Sequence, residues 1–167
     1  MASFDKYAPK LKQWEGGFGN HPADTGRETM CGVTLATFRQ YFGADKTVAD
    51  LRAMTEAQWR TIMKGGFWDR CWADQIRNQS VAELIVDWCV NSGTGMLKRV
   101  QAIVGVAQDG IMGPKTLAAI NAARAQLLHF KIKAARAAYY ESIVLGRPSN
   151  IVFYDGWMNR LCSFIYR

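Results

Sequence analysis

Residues 80–93 read SVAELIVDWCVNSG and predict a helix that lies buried at the centre of the fold. Ser80 and Glu83 have the spacing of a capping box, in which two side chains bond the backbone N–H groups at a helix start. The apolar residues that follow surround the predicted helix on all sides, and a helix of that kind is buried. Asn91, Ser92 and Gly93 supply the residues that end it.

Helical signals continue on both sides of this segment. Apolar residues at helical spacing predict a first helix that ends before Gly16-Gly17, helices opened by Thr34, Thr47 and Thr55, a helix started by Pro114, and a long helix over residues 123–145. No strand-type alternation of useful length occurs. The predicted fold class is therefore all-α, with a small β-hairpin around residues 16–33.

Length and composition are those of an ordinary globular chain. Of the 167 residues, 49% are hydrophobic and 21% are charged, so global disorder is excluded. No apolar run approaches the roughly 20 residues that a membrane-spanning helix needs. The first residues have no continuous apolar core, so we expect no signal peptide.

The net charge of +7 is concentrated in one part of the chain. Residues 1–97 carry 11 basic and 11 acidic side chains, whereas residues 98–167 carry 10 basic and 3 acidic ones. A surface of that sign attracts polyanions such as nucleic acid, anionic lipid or an anionic cell-wall polymer. The alternative interpretation is a solvated helical surface with no partner.

Cysteine and histidine usage argues against a metal centre. The chain has 4 cysteines, no Cys-x-x-Cys pair and only 2 histidines. A structural zinc site needs closely spaced ligand pairs, and a zinc hydrolase needs two or three histidines. We therefore expect no metal and no cofactor, and we expect the thiols to be reduced and buried.

Glu15 is the residue whose surroundings best suit acid catalysis. It closes the first predicted helix, and Trp14 and Phe18 flank it. The negative end of a helix dipole and apolar neighbours both raise the pKa of a carboxyl group, as a general acid requires. Asp24 follows in a polar loop, where a carboxylate stays ionised and can act as base or as stabiliser. Each residue alone also fits a simple helix end or turn.

Residues 15–34 read EGGFGNHPADTGRETMCGVT, and this run resembles the N-terminal signature of glycoside hydrolase family 108, whose members are N-acetylmuramidases. Further matches to the family lie at residues 90–93, 109–117 and 156–160. Together these motifs span residues 15–160. One departure is Arg27, which stands where the family pattern has the second glycine of a Gly-Gly pair.

The resemblance implies a lysozyme-like helical fold and cleavage of the β-1,4 bond between N-acetylmuramic acid and N-acetylglucosamine. It places the catalytic acid on Glu15, and the polar loop around Asp24 makes that residue our expected second catalytic carboxylate. The expected substrate-binding residues are Asn20, Thr29, Thr34 and Asn91, which lie in the matching motifs, and Trp68, whose indole can stack on a sugar face.

Residues 100–120, VQAIVGVAQDGIMGPKTLAAI, resemble the core of peptidoglycan-binding modules. We therefore expect a catalytic region over residues 1–93 and a basic, wall-binding region over residues 94–167, packed into one globule. The expected partner is peptidoglycan rather than nucleic acid, because no helix-turn-helix pattern is present. We expect a monomer, made in the cytoplasm without a signal peptide, that reaches the wall after holin-like release.

Two other functions remain open at this point. Cys31, with His21 or His129, would suit a cysteine amidase or peptidase of the cell wall. Residues 98–167 would also suit a non-enzymatic module that binds cell wall or nucleic acid.

Overall fold

A computed structural model describes residues 1–16, 18–19 and 29–167 of the chain. The α-helices of these residues are α1 (Phe4–Glu15), α2 (Leu35–Phe42), α3 (Val48–Arg52), α4 (Glu56–Met63), α5 (Gln79–Ser92), α6 (Leu97–Val104), α7 (Pro114–Ala122), α8 (Ala125–Gly146) and α9 (Ile151–Cys162). Three short strands, β1 (Phe18–Gly19), β2 (Thr29–Met30) and β3 (Val33–Thr34), form an antiparallel sheet in that order. The predicted all-α, lysozyme-like fold with a small hairpin is confirmed.

The described residues divide into two compact units. Phe4–Trp68 form the N-terminal unit, which holds α1 to α4 and the sheet. Met1–Ser3 and Asp69–Arg167 form the C-terminal unit, which holds α5 to α9. Helix α5 thus belongs to the same compact unit as residues 94–167, whereas the predicted boundary at residue 93 separates them.

The helix starts of the N-terminal unit follow the predicted caps. The Thr34 hydroxyl accepts a hydrogen bond from the Thr37 backbone N–H at 3.1 Å. Thr55 and Gln58 form a complete capping box at the start of α4. These bonds satisfy backbone donors that a helix start leaves without an intrahelical partner. The core of this unit contains Tyr7, Leu11, Phe38, Leu51, Trp59 and Ile62, all at most 2% exposed.

Helix α5 is buried as predicted, but its cap is not the predicted one. Asp87 and all of its apolar side chains except Val90 are buried. Asn78, rather than Ser80, caps the helix, because its side chain accepts from the Val81 backbone N–H at 3.0 Å. The Ser80 hydroxyl instead accepts from the Arg167 backbone N–H at 3.0 Å. The helix therefore begins at Gln79, and the predicted capping box of Ser80 and Glu83 is wrong.

A buried ion cluster joins three helices of the C-terminal unit. Asp87 of α5 accepts hydrogen bonds from Arg136 of α8 and Arg160 of α9, each at 2.7 Å for the closest pair of atoms. Burial acts to raise the pKa of Asp87, but the Arg160 and Arg136 guanidinium groups outweigh it and hold the pKa below its usual value. The cluster fixes the packing of α5, α8 and α9.

Among the described residues, no helix has both the length and the apolar character that crossing a membrane requires. The longest one, α8, covers 22 residues but carries several basic side chains.

Candidate active site

Glu15 ends α1, and the local sequence explains why the helix stops there. Gly16 follows with a φ of +65°, in the left-handed region that commonly closes a helix and that glycine adopts without steric cost. The Glu15 side chain therefore leaves the helix at the negative end of its dipole. Its Oε1 atom is buried, although the residue as a whole is half-buried.

A tight turn packs against the Glu15 carboxyl group. Met30 pairs with Val33, so Cys31 and Gly32 are the two central residues of a hairpin turn. Both have positive φ, +48° and +76°, as a type I′ turn requires. A Cβ added at Gly32 would lie only 2.8 Å from the Glu15 Cδ and would overlap Oε2. The turn thus presents a bare Cα to the carboxyl group, which only glycine can do.

Trp59 is hydrogen-bonded to this turn. Its indole Nε1 donates a hydrogen bond to the Cys31 carbonyl at 3.0 Å, and the ring is 2% exposed. The Lys12 ammonium lies 6.0 Å from the centre of the same ring and pairs with Glu56. The sequence alone did not indicate that Trp59 bonds to this turn. The Cys-Gly pair between residues suited to strands was the available signal for that turn.

The Cys31 thiol has the properties of a structural cysteine. It is 8% exposed. Burial raises the pKa of the Cys31 thiol, the Lys12 ammonium opposes that rise, and the Glu15 and Glu56 carboxylates add to it. A nucleophilic cysteine needs the reverse shift, because the thiolate is the reactive form. Of its two candidate histidines, His21 lies outside the described residues, and His129 is buried against Tyr166 in the C-terminal unit.

The two threonines that we expected to bind substrate lie on the hairpin. Thr29 and Thr34 are paired residues on β2 and β3, and both are half-buried. Thr34 also has a structural task, because its hydroxyl caps α2. The structure therefore brings Glu15 and this hairpin together in one compact unit, as the motif spacing implies.

Three residues named in the sequence analysis lie between β1 and β2 along the chain. Asn20, Asp24 and Arg27 lie outside the described residues. The roles of Asn20 in substrate binding and of Asp24 as the second catalytic carboxylate stay predictions.

Trp68 is a core residue rather than a sugar platform. Its ring has no exposed surface; it stacks on Tyr7 with 5.8 Å between ring centres and meets the edge of Phe4 at 5.7 Å. An aromatic ring that is buried on both faces cannot stack on a sugar, so the predicted stacking role of Trp68 is wrong. In the sequence, Trp68 follows Gly65, Gly66 and Phe67. A local pattern of this kind does not distinguish a buried aromatic ring from an exposed one.

Asn91 belongs to the C-terminal unit and is tied to the buried ion cluster. Its Oδ1 atom accepts a hydrogen bond from the Tyr140 hydroxyl at 2.6 Å, and that hydroxyl accepts from Arg136 Nε at 2.7 Å. Asn91 is half-buried. Its contacts explain a structural role, and its role in substrate binding stays a prediction.

The described residues hold no group of three or more His, Cys, Asp and Glu side chains that could bind a metal ion.

Comparison with protein families gives two consecutive matches. Residues 8–93 match the family described as "Glycosyl hydrolase 108". Residues 95–162 match the family described as "Predicted Peptidoglycan domain". The first match contains Glu15, the hairpin and α5, and the second contains α6 to α9 up to Cys162. The second match supports peptidoglycan as the polymer that this chain binds.

Among solved structures, the chain is similar to Brucella abortus SagA. The two share 31% sequence identity with a TM-score of 0.83, over 96% of this chain and 90% of the other. No curated protein sequence matches the chain.

Proposed function

The chain belongs to the glycosyl hydrolase 108 family, and we propose that it is an N-acetylmuramidase that cleaves the β-1,4 bond between N-acetylmuramic acid and N-acetylglucosamine in peptidoglycan. The observation that carries this proposal is the environment of the Glu15 carboxyl group. Glu15 ends a helix, its carboxyl group lies against the bare Cα of Gly32, and one of its oxygens is buried. Burial and the helix dipole both favour the protonated form, which a general acid needs.

In this mechanism Glu15 donates its proton to the glycosidic oxygen as the bond to the muramic acid breaks. The positive charge that develops on the sugar ring requires a carboxylate or an activated water on the other face. We assign that role to Asp24. The adjacent hairpin residues Thr29 and Thr34 are the proposed hydrogen-bonding groups for the sugar.

The end groups of the products test the bond specificity. Purified peptidoglycan is digested, its reducing ends are reduced with borohydride, and the fragments are analysed by mass spectrometry. A muramidase yields N-acetylmuramitol ends, because cleavage frees carbon 1 of the muramic acid. N-acetylglucosaminitol ends would contradict the proposed bond, and new amino groups without new reducing ends would instead favour an amidase.

A matched pair of variants assigns the chemistry to Glu15. Glu15→Gln keeps the shape of the side chain but removes its proton-donating carboxyl group, so we expect N-acetylmuramitol ends to fall by about 100-fold or more. Glu141→Gln makes the same change at an exposed position of α8 and should leave the yield unchanged.

A further inference from the structure

Two adjoining depressions lie on the surface that α6, α7 and α8 form in the C-terminal unit. The first has a volume of 390 Å³, and its lining includes Ala119, Ala122 and Leu128. The second has a volume of 470 Å³, and its lining includes Ala102 and Ala135. Ile103 lines both of them. We call the two together the α6–α8 groove.

Cations and small apolar side chains dominate the lining of the α6–α8 groove. Arg124 and Lys131 line the first depression, and Lys98 and Arg99 line the second. None of the residues that line either depression is acidic. The groove therefore combines a floor of methyl groups with a surrounding positive field, which suits a ligand that is apolar along its body and carries carboxylates.

The cations differ in how far they are already engaged within the protein. Arg124 and Lys131 are exposed, and the described part of the chain gives neither an ion pair. Arg99 lies over the Tyr139 ring at 4.7 Å, which orients its guanidinium group. Lys98 has an acidic neighbour, Asp109. The pKa of Asp109 is lowered chiefly by hydrogen bonds from the Ile111 backbone N–H and the Gln101 side chain, and to a smaller extent by the Lys98 ammonium. Arg124 and Lys131 are thus the cations most available to a ligand.

The first depression also lies at the amino end of α8. Arg124 is the N-cap residue of this 22-residue helix and makes no side-chain capping bond. The positive end of the helix dipole adds to the attraction that Arg124 and Lys131 exert on a carboxylate.

We propose that the α6–α8 groove binds the peptide stems of peptidoglycan, with Arg124 and Lys131 holding stem carboxylates. This inference rests on the proposed function for the identity of the polymer. Peptide stems consist largely of alanine and dicarboxylic residues, so they present the methyl groups and the carboxylates that the groove matches. A nucleic acid would present phosphates at every nucleotide but few groups suited to an alanine- and leucine-lined floor.

Direct binding measurements test the groove separately from catalysis. The probe is the disaccharide tetrapeptide of peptidoglycan, and the comparison probe is the same disaccharide without its peptide. Binding to the full chain is measured by calorimetry in the Glu15→Gln background. Loss of the proposed catalytic function would therefore leave this readout intact, and failure of either proposal can be recognised on its own.

The groove variant is Arg124→Gln with Lys131→Gln, and the control is Lys115→Gln with Arg147→Gln. Both pairs remove two exposed charges from the C-terminal unit, but the control positions line neither depression. We expect the groove variant to bind the disaccharide tetrapeptide about tenfold or more weakly, and the control to stay within about twofold of the parent. The peptide-free disaccharide should bind equally weakly to all three proteins.

Four results would overturn the proposal. These are unchanged binding by the groove variant, equal losses in groove variant and control, equal affinity for the two probes, and tighter groove-dependent binding of a DNA oligonucleotide than of the peptide probe. Matching melting temperatures confirm that each variant is folded.

Discussion

Gly32 occupies the second central position of the hairpin turn with a φ of +76°, and its Cα lies against the Glu15 side chain. Gly32→Ala introduces two separate problems. It strains the backbone by about 1 kcal/mol, and its new Cβ overlaps the Glu15 carboxyl group. We therefore expect the variant to remain folded but to lose most of its hydrolysis, measured as reducing ends released from peptidoglycan.

Gly105→Ala is the matched control for this substitution. Gly105 has nearly the same φ, +75°, but a Cβ there meets nothing within 4 Å. Both variants should lose similar stability in thermal unfolding, and only Gly32→Ala should lose activity. Equal activities in the two variants would mean that the turn does not position Glu15.

Cys31 decides between a carboxyl and a thiol mechanism. Cys31 is itself a central residue of the turn beside Glu15, and its thiol is buried with a raised pKa, so the structure gives it a packing role. Cys31→Ala removes the sulfur but keeps the turn backbone, and we expect hydrolysis within about threefold of the wild type. Loss of wall-lytic activity in this variant, with an unchanged melting temperature, would favour the cysteine amidase.

Among the elements, the sequence predicted most of what local rules govern. The caps at Thr34, Thr47 and Thr55, the helix end at Glu15 and the start of α7 at Pro114 all follow the expected chemistry. The error at Ser80 has a local cause, because Asn78 offers an equally good cap two residues earlier and Arg167 competes for the Ser80 hydroxyl.

Tertiary partners were beyond the reach of the sequence. Arg136 and Arg160 each lie on a helix where an arginine is ordinarily solvated, and only the packing of α8 and α9 around α5 buries them with Asp87. The burial of Trp68 was equally hard to predict from the sequence, because its ring packs against Tyr7 and Phe4, more than 60 positions away in the chain. For Glu15, by contrast, the helix end and the neighbouring glycines were both visible in the sequence.

Asp87→Asn tests the ion cluster that joins α5, α8 and α9. Removing the one carboxylate leaves two buried guanidinium groups without their counter-ion, and such losses cost about 3–5 kcal/mol. We expect that decrease in the free energy of unfolding from urea titration at pH 7. Asp155→Asn, at an exposed position of α9, should change it by less than about 0.5 kcal/mol. A small effect at Asp87 would contradict the account of the cluster.

The lowered pKa of Asp87 also fixes the direction of a pH effect. Its ionised form stabilises the fold fully above the unfolded-state pKa of about 3.9. That contribution is lost as the pH falls through the lower folded-state pKa. The stability difference between wild type and Asp87→Asn should therefore be constant from pH 7 to about pH 5 and shrink in more acidic solution. A difference that grows on acidification would contradict the assignment.

The position of α5 predicts that residues 1–93 do not fold cooperatively on their own. The glycosyl hydrolase match ends at residue 93, directly after α5, but this helix belongs to the C-terminal unit, and the arginines that pair with its Asp87 lie on α8 and α9. A fragment of residues 1–93 would expose the apolar surface of α5 and leave Asp87 without either arginine. We expect this fragment to lack the cooperative unfolding transition of the full chain in calorimetry. A fragment with an unchanged melting temperature would contradict this expectation.

The most direct test of the account is the clearing of a peptidoglycan suspension by wild-type protein, Glu15→Gln and Glu141→Gln at equal concentrations. Melting temperatures of all three confirm that they are folded. We predict that wild type and Glu141→Gln clear the suspension at the same rate, while Glu15→Gln clears it at no more than about 1% of that rate. Clearing by a folded Glu15→Gln at the wild-type rate would contradict the assignment of the catalytic acid.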